Sequence, residues 1–183
     1  MDSPQKIYSL IKSRKFVGLV RGRGDFEEKL NCYILALSNS FLLVQTAEEF
    51  TLSGFSIIPI DTVLKIESNQ TGRFYNHIMK AEGLLNQVGC DIPLCLDSWM
   101  ALFKSLKAVK VPVIVECEHL DPSVFSIGTL RSIGKDYVSV KYFNSAGFVE
   151  ERPDQLKFQD ITRVTFGDRY SQMFAKHVSP ATS

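Results

Sequence analysis

The second half of this sequence repeats the first. Leu10-Ile11-Lys12-Ser13-Arg14-Lys15 aligns with Leu102-Phe103-Lys104-Ser105-Leu106-Lys107, and Asn39-Ser40-Phe41-Leu42-Leu43-Val44 aligns with Lys135-Asp136-Tyr137-Val138-Ser139-Val140. Val63 and Ile66 align with Ile161 and Val164, and Gly72, Tyr75, Ile78 and Met79 align with Gly167, Tyr170, Met173 and Phe174. Four blocks in the same order, with offsets that drift between 92 and 98 residues, mark two homologous units. The chain must therefore build two small cores, and the 45% of hydrophobic residues is enough apolar material for both.

Each unit carries the same series of local signals. Ser3-Pro4 starts a helix, with Ser3 as N-cap and Pro4 where a missing N–H costs least, and Ile7, Leu10 and Ile11 share one face over residues 4–14. Strands are expected at 16–21, 30–37, 41–46, 50–60 and 63–66, broken by turn residues at Gly22-Arg23-Gly24-Asp25, Asn39-Ser40 and Gly54. Residues 68–72 form a loop, and Tyr75, Ile78, Met79, Leu84 and Leu85 then fall at helical spacing. In the second half Asp97 or Ser98 caps a helix with Trp99, Leu102, Phe103 and Leu106 on one face, followed by a strand at 111–117. The stretch from Phe125 to Phe174 continues as short strands and ends in a helical turn. This organisation predicts units at 1–85 and 97–178, a linker at 86–96 and a disordered tail at 179–183.

Charge and cysteine content narrow the setting. The formal net charge of +1, from 21 basic and 20 acidic residues, gives no overall field for nucleic acid or an anionic membrane, so such binding must come from a local patch. The stretch MDSPQKIYSLIKSRK has no signal-peptide core, and charges interrupt every long apolar run, so the expected location is the cytoplasm, with no membrane partner. The four cysteines are too few for a disulfide framework at this length and read as reduced thiols.

Short, regularly spaced strands in units of this size point to small barrels, since each sheet must pack or close to bury its apolar face. A helix followed by Ile127-Gly128-Thr129-Leu130, Asp136-Tyr137-Val138-Ser139-Val140 and Asp160-Ile161-Thr162-Arg163-Val164 before Gly167 and Tyr170 resembles the Sm-like, SH3-type β-barrel family. The resemblance covers the second unit well, and the first through its similarity to the second, Gly128 having no glycine counterpart there. It implies a mainly β chain with short helices: two duplicated five-stranded barrels, each preceded by a helix. It also implies assembly through exposed strand edges and, in many family members, binding of single-stranded RNA at the inner face of a ring. Lys141-Tyr142-Phe143-Asn144-Ser145 lacks the acidic residue of the family's first RNA-binding turn, and Phe166-Gly167-Asp168-Arg169 departs from the second motif. No RNA-contacting residue carries over.

Four further constellations invite chemistry. Lys6, Lys12, Arg14, Lys15, Arg21 and Arg23 crowd the first 24 residues, and Lys104, Lys107 and Lys110 repeat the theme in the second unit, as a nucleic-acid or partner surface or as solvated helix faces. Tyr75 and Tyr170 align in the repeat, and either pack under the terminal helix or line a groove between barrels. Cys90, Cys95, Cys117 and His119 have poor spacing for zinc and read as structural thiols. Gly22-x-Gly24 lacks the rest of a phosphate loop, and no nucleophile elbow or marked carboxylate pair is present. The expectation is a non-catalytic interaction or assembly module without cofactor or metal, self-associating or binding a protein. Single-stranded RNA or DNA binding through the basic helix faces is the alternative.

Overall fold

A computed structural model describes residues 3–178, so the tail expected at 179–183 lies outside the described residues. The chain is mainly β with four short helices, and it divides into two compact units at Asp91/Ile92.

Unit 1 begins with α1 (Pro4–Lys12), capped by Ser3, whose hydroxyl accepts the Lys6 N–H at 3.4 Å. Five strands follow: β1 (Phe16–Arg23), β2 (Phe26–Leu37), β3 (Phe41–Glu48), β4 (Thr51–Pro59) and β5 (Val63–Glu67), then α2 (Gln70–Ala81). Their order across the sheet is β5-β1-β2-β3-β4, antiparallel throughout. Period-two alternation puts Val17, Leu19, Leu30, Cys32 and Ile34 on one face, where they meet Leu42, Val44, Ile58, Val63 and Ile66. Ile7 and Leu10 of α1 complete that core, so the N-terminal helix is its cover. The opposite face gathers a second cluster, Phe16, Tyr33, Ala47 and Met79, closed by Val88.

Unit 2 runs α3 (Trp99–Ala108), β6 (Val113–Cys117), β7 (Val124–Ile133), β8 (Tyr137–Tyr142), β9 (Asp154–Lys157), β10 (Arg163–Phe166) and α4 (Arg169–His177). Its strand order, β10-β6-β7-β8-β9, is that of unit 1 element for element. Each unit also places one 3-10 turn before its last strand, Ile60–Thr62 and Phe158–Asp160.

The structure corrects three expectations. The five strands of a unit do not close into a hydrogen-bonded barrel, because the fourth and fifth lie at opposite ends of the order. The 3-10 turn carries the chain off β4 and sets β5 against β1, with Leu19 facing Ile66, so β4 and β5 are joined by a turn and not by a ladder. Secondly, residues 70–72 belong to α2 because Asn69 is its cap, its Oδ1 accepting the Gly72 N–H at 2.9 Å. Asp168 caps α4 in the same way, its Oδ1 accepting the Ser171 N–H at 2.7 Å. The caps fix the helix register, so Gly72 corresponds to Ser171, Tyr75 to Phe174 and Met79 to Val178. Tyr75 and Tyr170 are therefore not equivalent, and the alignment that paired them is one helical turn out. Finally, β2 begins at Phe26, because Phe26 to Lys29 pair with Arg23 to Val20.

Candidate interaction surfaces

The N-terminal cations are sorted by the fold. Lys12, Arg14 and Lys15 sit at the end of α1 and on the turn into β1, all exposed. Asn76 of α2 clamps that turn: its Oδ1 accepts the Phe16 N–H at 2.9 Å and its Nδ2 donates to the Arg14 carbonyl at 3.0 Å. Gly72, one turn earlier, permits the approach, since a Cβ there would lie 3.1 Å from the Phe16 carbonyl oxygen. Arg14 takes a left-handed backbone, φ 44°, and its guanidinium donates to the Leu85 carbonyl at 3.3 Å.

This clamp brings in residues that the sequence reading missed. Arg73, His77 and Lys80 follow one another at helical spacing beside Asn76, and all are exposed. Lys12, Arg14, Lys15, Arg73 and Lys80 make no ion pair among the described residues. Phe74 adds an aromatic ring 65% exposed, its plane tilted 20° to that of His77. The available signal was Asn69: with the helix started there, the stripe 73, 77, 80 is legible.

Arg21 and Arg23 do not join this surface. Arg21 is fully buried, opposite Glu28 in the β1–β2 ladder, donating from Nε at 3.0 Å and from Nη2 at 2.5 Å. Its guanidinium carbon also lies 5.2 Å from the centre of the Phe26 ring. An Arg at a sheet position facing an acid forms a cross-strand pair, and that removes it from solvent. Arg23 donates to Asp61 at 2.7 Å. Lys104 and Lys107 stand on α3 of unit 2, Lys104 exposed and Lys107 donating to the Arg131 carbonyl at 2.5 Å.

The two tyrosines differ as their register predicts. Tyr75 is stacked between Phe16, at 3.9 Å, and Phe50, at 4.6 Å, and its hydroxyl accepts the Phe50 N–H at 2.8 Å. Burial holds its hydroxyl above the ordinary tyrosine range. Tyr170 is 52% exposed and leans on Phe174 at 4.7 Å. Phe174, the true counterpart of Tyr75, lies parallel to Phe143 at 5.7 Å.

Two strand edges complete the picture. β5 pairs with β1, and β9 pairs with β8; neither has a second strand partner among the described residues. On β5, Leu64 is 50% exposed, and Glu67 accepts from Lys29 at 2.6 Å and from Lys65 at 2.7 Å. Those two ammonium groups hold the Glu67 carboxyl at about 2. No three His, Cys, Asp or Glu side chains are grouped as a metal set among the described residues, and all four cysteines are free thiols. Among the described residues no helix is long and apolar enough to cross a membrane.

Comparison with known proteins finds no matching family model, no matching curated protein and no matching solved structure.

Proposed function

We propose that this chain is a non-catalytic assembly module, two duplicated Sm-like units with open five-stranded sheets in one polypeptide, which pair with further copies, or with a protein partner, along strand edges. One observation carries the reading: the same strand order occurs twice, and β5 and β9 each pair on one side only among the described residues. A row of unpaired backbone N–H and C=O groups is a template for another strand. β5 is lightly defended, since Lys65 guards it but Leu64 stands half exposed on it. Edge-to-edge pairing of whole chains adds two units at a time, so closed assemblies contain an even number of them. Four free thiols fit a reducing compartment, and the cytoplasm is the proposed location.

Light scattering on the purified protein tests this. The expected mass is a multiple of the 20.6 kDa chain, lowered by Leu64→Asp without loss of the folded state. A monomeric mass at every concentration overturns self-pairing.

Single-stranded RNA or DNA binding is the second reading, favoured by the exposed cations Lys12, Arg14 and Lys15 on the turn that Asn76 clamps and Arg73 and Lys80 on the helix that carries Asn76. Cations that make no ion pair among the described residues can displace counterions from phosphate, so affinity for a labelled oligonucleotide would fall steeply with salt. Arg73→Glu with Lys80→Glu would abolish it while the assembled mass stays unchanged. Binding that ignores both salt and these charges overturns this second reading.

A further inference from the structure

The connection between β3 and β4 is two residues long, since Glu48 pairs with Thr51. Both residues, Glu49 and Phe50, have positive φ, at 47° and 62°. A two-residue hairpin turn of this hand ordinarily takes Asn and Gly, because left-handed backbone crowds a Cβ, and a bulky side chain there is an outlier. The ladder does not ask for a phenylalanine: an Asn-Gly tip would meet the same geometry without strain.

What holds the turn in place is α2. The Phe50 N–H donates to the Tyr75 hydroxyl at 2.8 Å, and the Phe50 ring lies over Tyr75 at 4.6 Å with 18° between planes. Tyr75 rests on Phe16 beneath it, at 3.9 Å. Phe50 is 41% exposed, so it covers the stack from outside and does not belong to the core. The second unit has no such arrangement. Its β8–β9 connection is long and takes its left-handed backbone at Gly147, φ 80°, where glycine bears it freely, and Phe174 lies on a buried Phe143.

We propose that the Glu49–Phe50 turn is a strained latch, closed when Phe50 covers the Tyr75 ring and open when the turn relaxes and bares the Phe16–Tyr75 stack. One hydrogen bond and one ring face favour the closed state. Two left-handed side-chain-bearing residues favour the open one. The two contributions act in opposite directions, which is the condition for a switchable element. The latch belongs to unit 1 alone and does not depend on either functional reading above.

Nuclear magnetic resonance on the full chain tests it. Relaxation dispersion is expected at the amides of Glu48 to Leu52 and not in the centres of β3 and β4. Tyr75→Phe keeps the ring and removes the hydroxyl acceptor, so hydrogen exchange at the Phe50 amide should rise at least ten-fold while Val44 and Ile57 keep their rates. Glu49→Asn with Phe50→Gly removes strain and cover together and should silence the dispersion. Flat dispersion in the wild type, unchanged exchange in Tyr75→Phe, or dispersion that persists in the double variant each overturns the latch.

Discussion

Arg21 illustrates how a residue's partner decides its role. In the sequence it is one of six cations in the first 24 residues, while in the fold it is a buried guanidinium shared between Glu28 and the face of Phe26. Breaking a buried pair costs more than the pair itself contributes, because a charge is left without its partner. Arg21→Ala should therefore lower stability by about 3 kcal/mol in a urea titration, the low end of the usual range. The low end applies because the Glu28 side chain is 33% exposed and can turn to water. Lys15→Ala, on an exposed turn, should change stability little. Glu67 has a different signature. Its carboxyl titrates at about 2 in the folded chain against an ordinary 4.5, so its stabilising contribution is present above pH 4.5 and lost as pH falls toward 2. The stability gap between the wild type and Glu67→Gln should close over that window, and above it should narrow at high salt because the Lys29 and Lys65 partners are exposed.

At the scale of elements, the caps hold the duplication in register. Asn69 and Asp168 each accept an N–H three residues on, and replacing either by Ala should cost about 1 kcal/mol by urea titration. The Asp168 cap is expected to matter more, since the residue is buried and Ser171 donates a second hydrogen bond to it from its hydroxyl. Most elements were legible in the sequence because their signals are local. Ser3-Pro4 starts α1, Ser98 caps α3, and the aromatic and aliphatic run from Phe41 to Val44 after the Asn39-Ser40 turn marks β3 as a strand. The misses share one cause: the deciding partner lies far along the chain. Phe26 to Lys29 are a strand only because β1 is beside them, and the stripe of Arg73, His77 and Lys80 matters only because Asn76 holds the turn at Arg14. Tyr75 and Tyr170 looked equivalent because a tyrosine match outweighed a cap match, although the cap is what sets helix phase. Closure of the barrel is expected from short, regularly spaced strands and from the family resemblance, and strand spacing is silent on which strands meet.

At the scale of the whole chain, the division at Asp91/Ile92 falls where side chains take sides. Val88 closes the outer cluster of unit 1, and the Gly89 N–H donates to Gln45 at 3.0 Å, whereas the Cys95 N–H donates to Ser105 of α3 at 3.1 Å. Val88, Gly89 and Cys95 are thus anchored each in its own unit, so fragments 1–91 and 92–183 should each give a single cooperative unfolding transition by circular dichroism. A fragment ending before Val88 should melt lower, since it uncovers the cluster around Tyr33 and Met79.

The position of β5 beside β1 has a consequence for time. β1 is made early, yet one of its two neighbours, Val63–Glu67, is the last strand of its unit. During synthesis the β1–β2–β3–β4 meander can form in order from local pairings, but Leu19 cannot be covered on its second side until Ile66 has left the ribosome. The last strand is thus a long-range closure placed at the end of a series of short-range ones. A ribosome that pauses anywhere between Phe16 and Val63 holds a sheet with an open first strand, and the second unit meets the same wait between Val113 and Arg163.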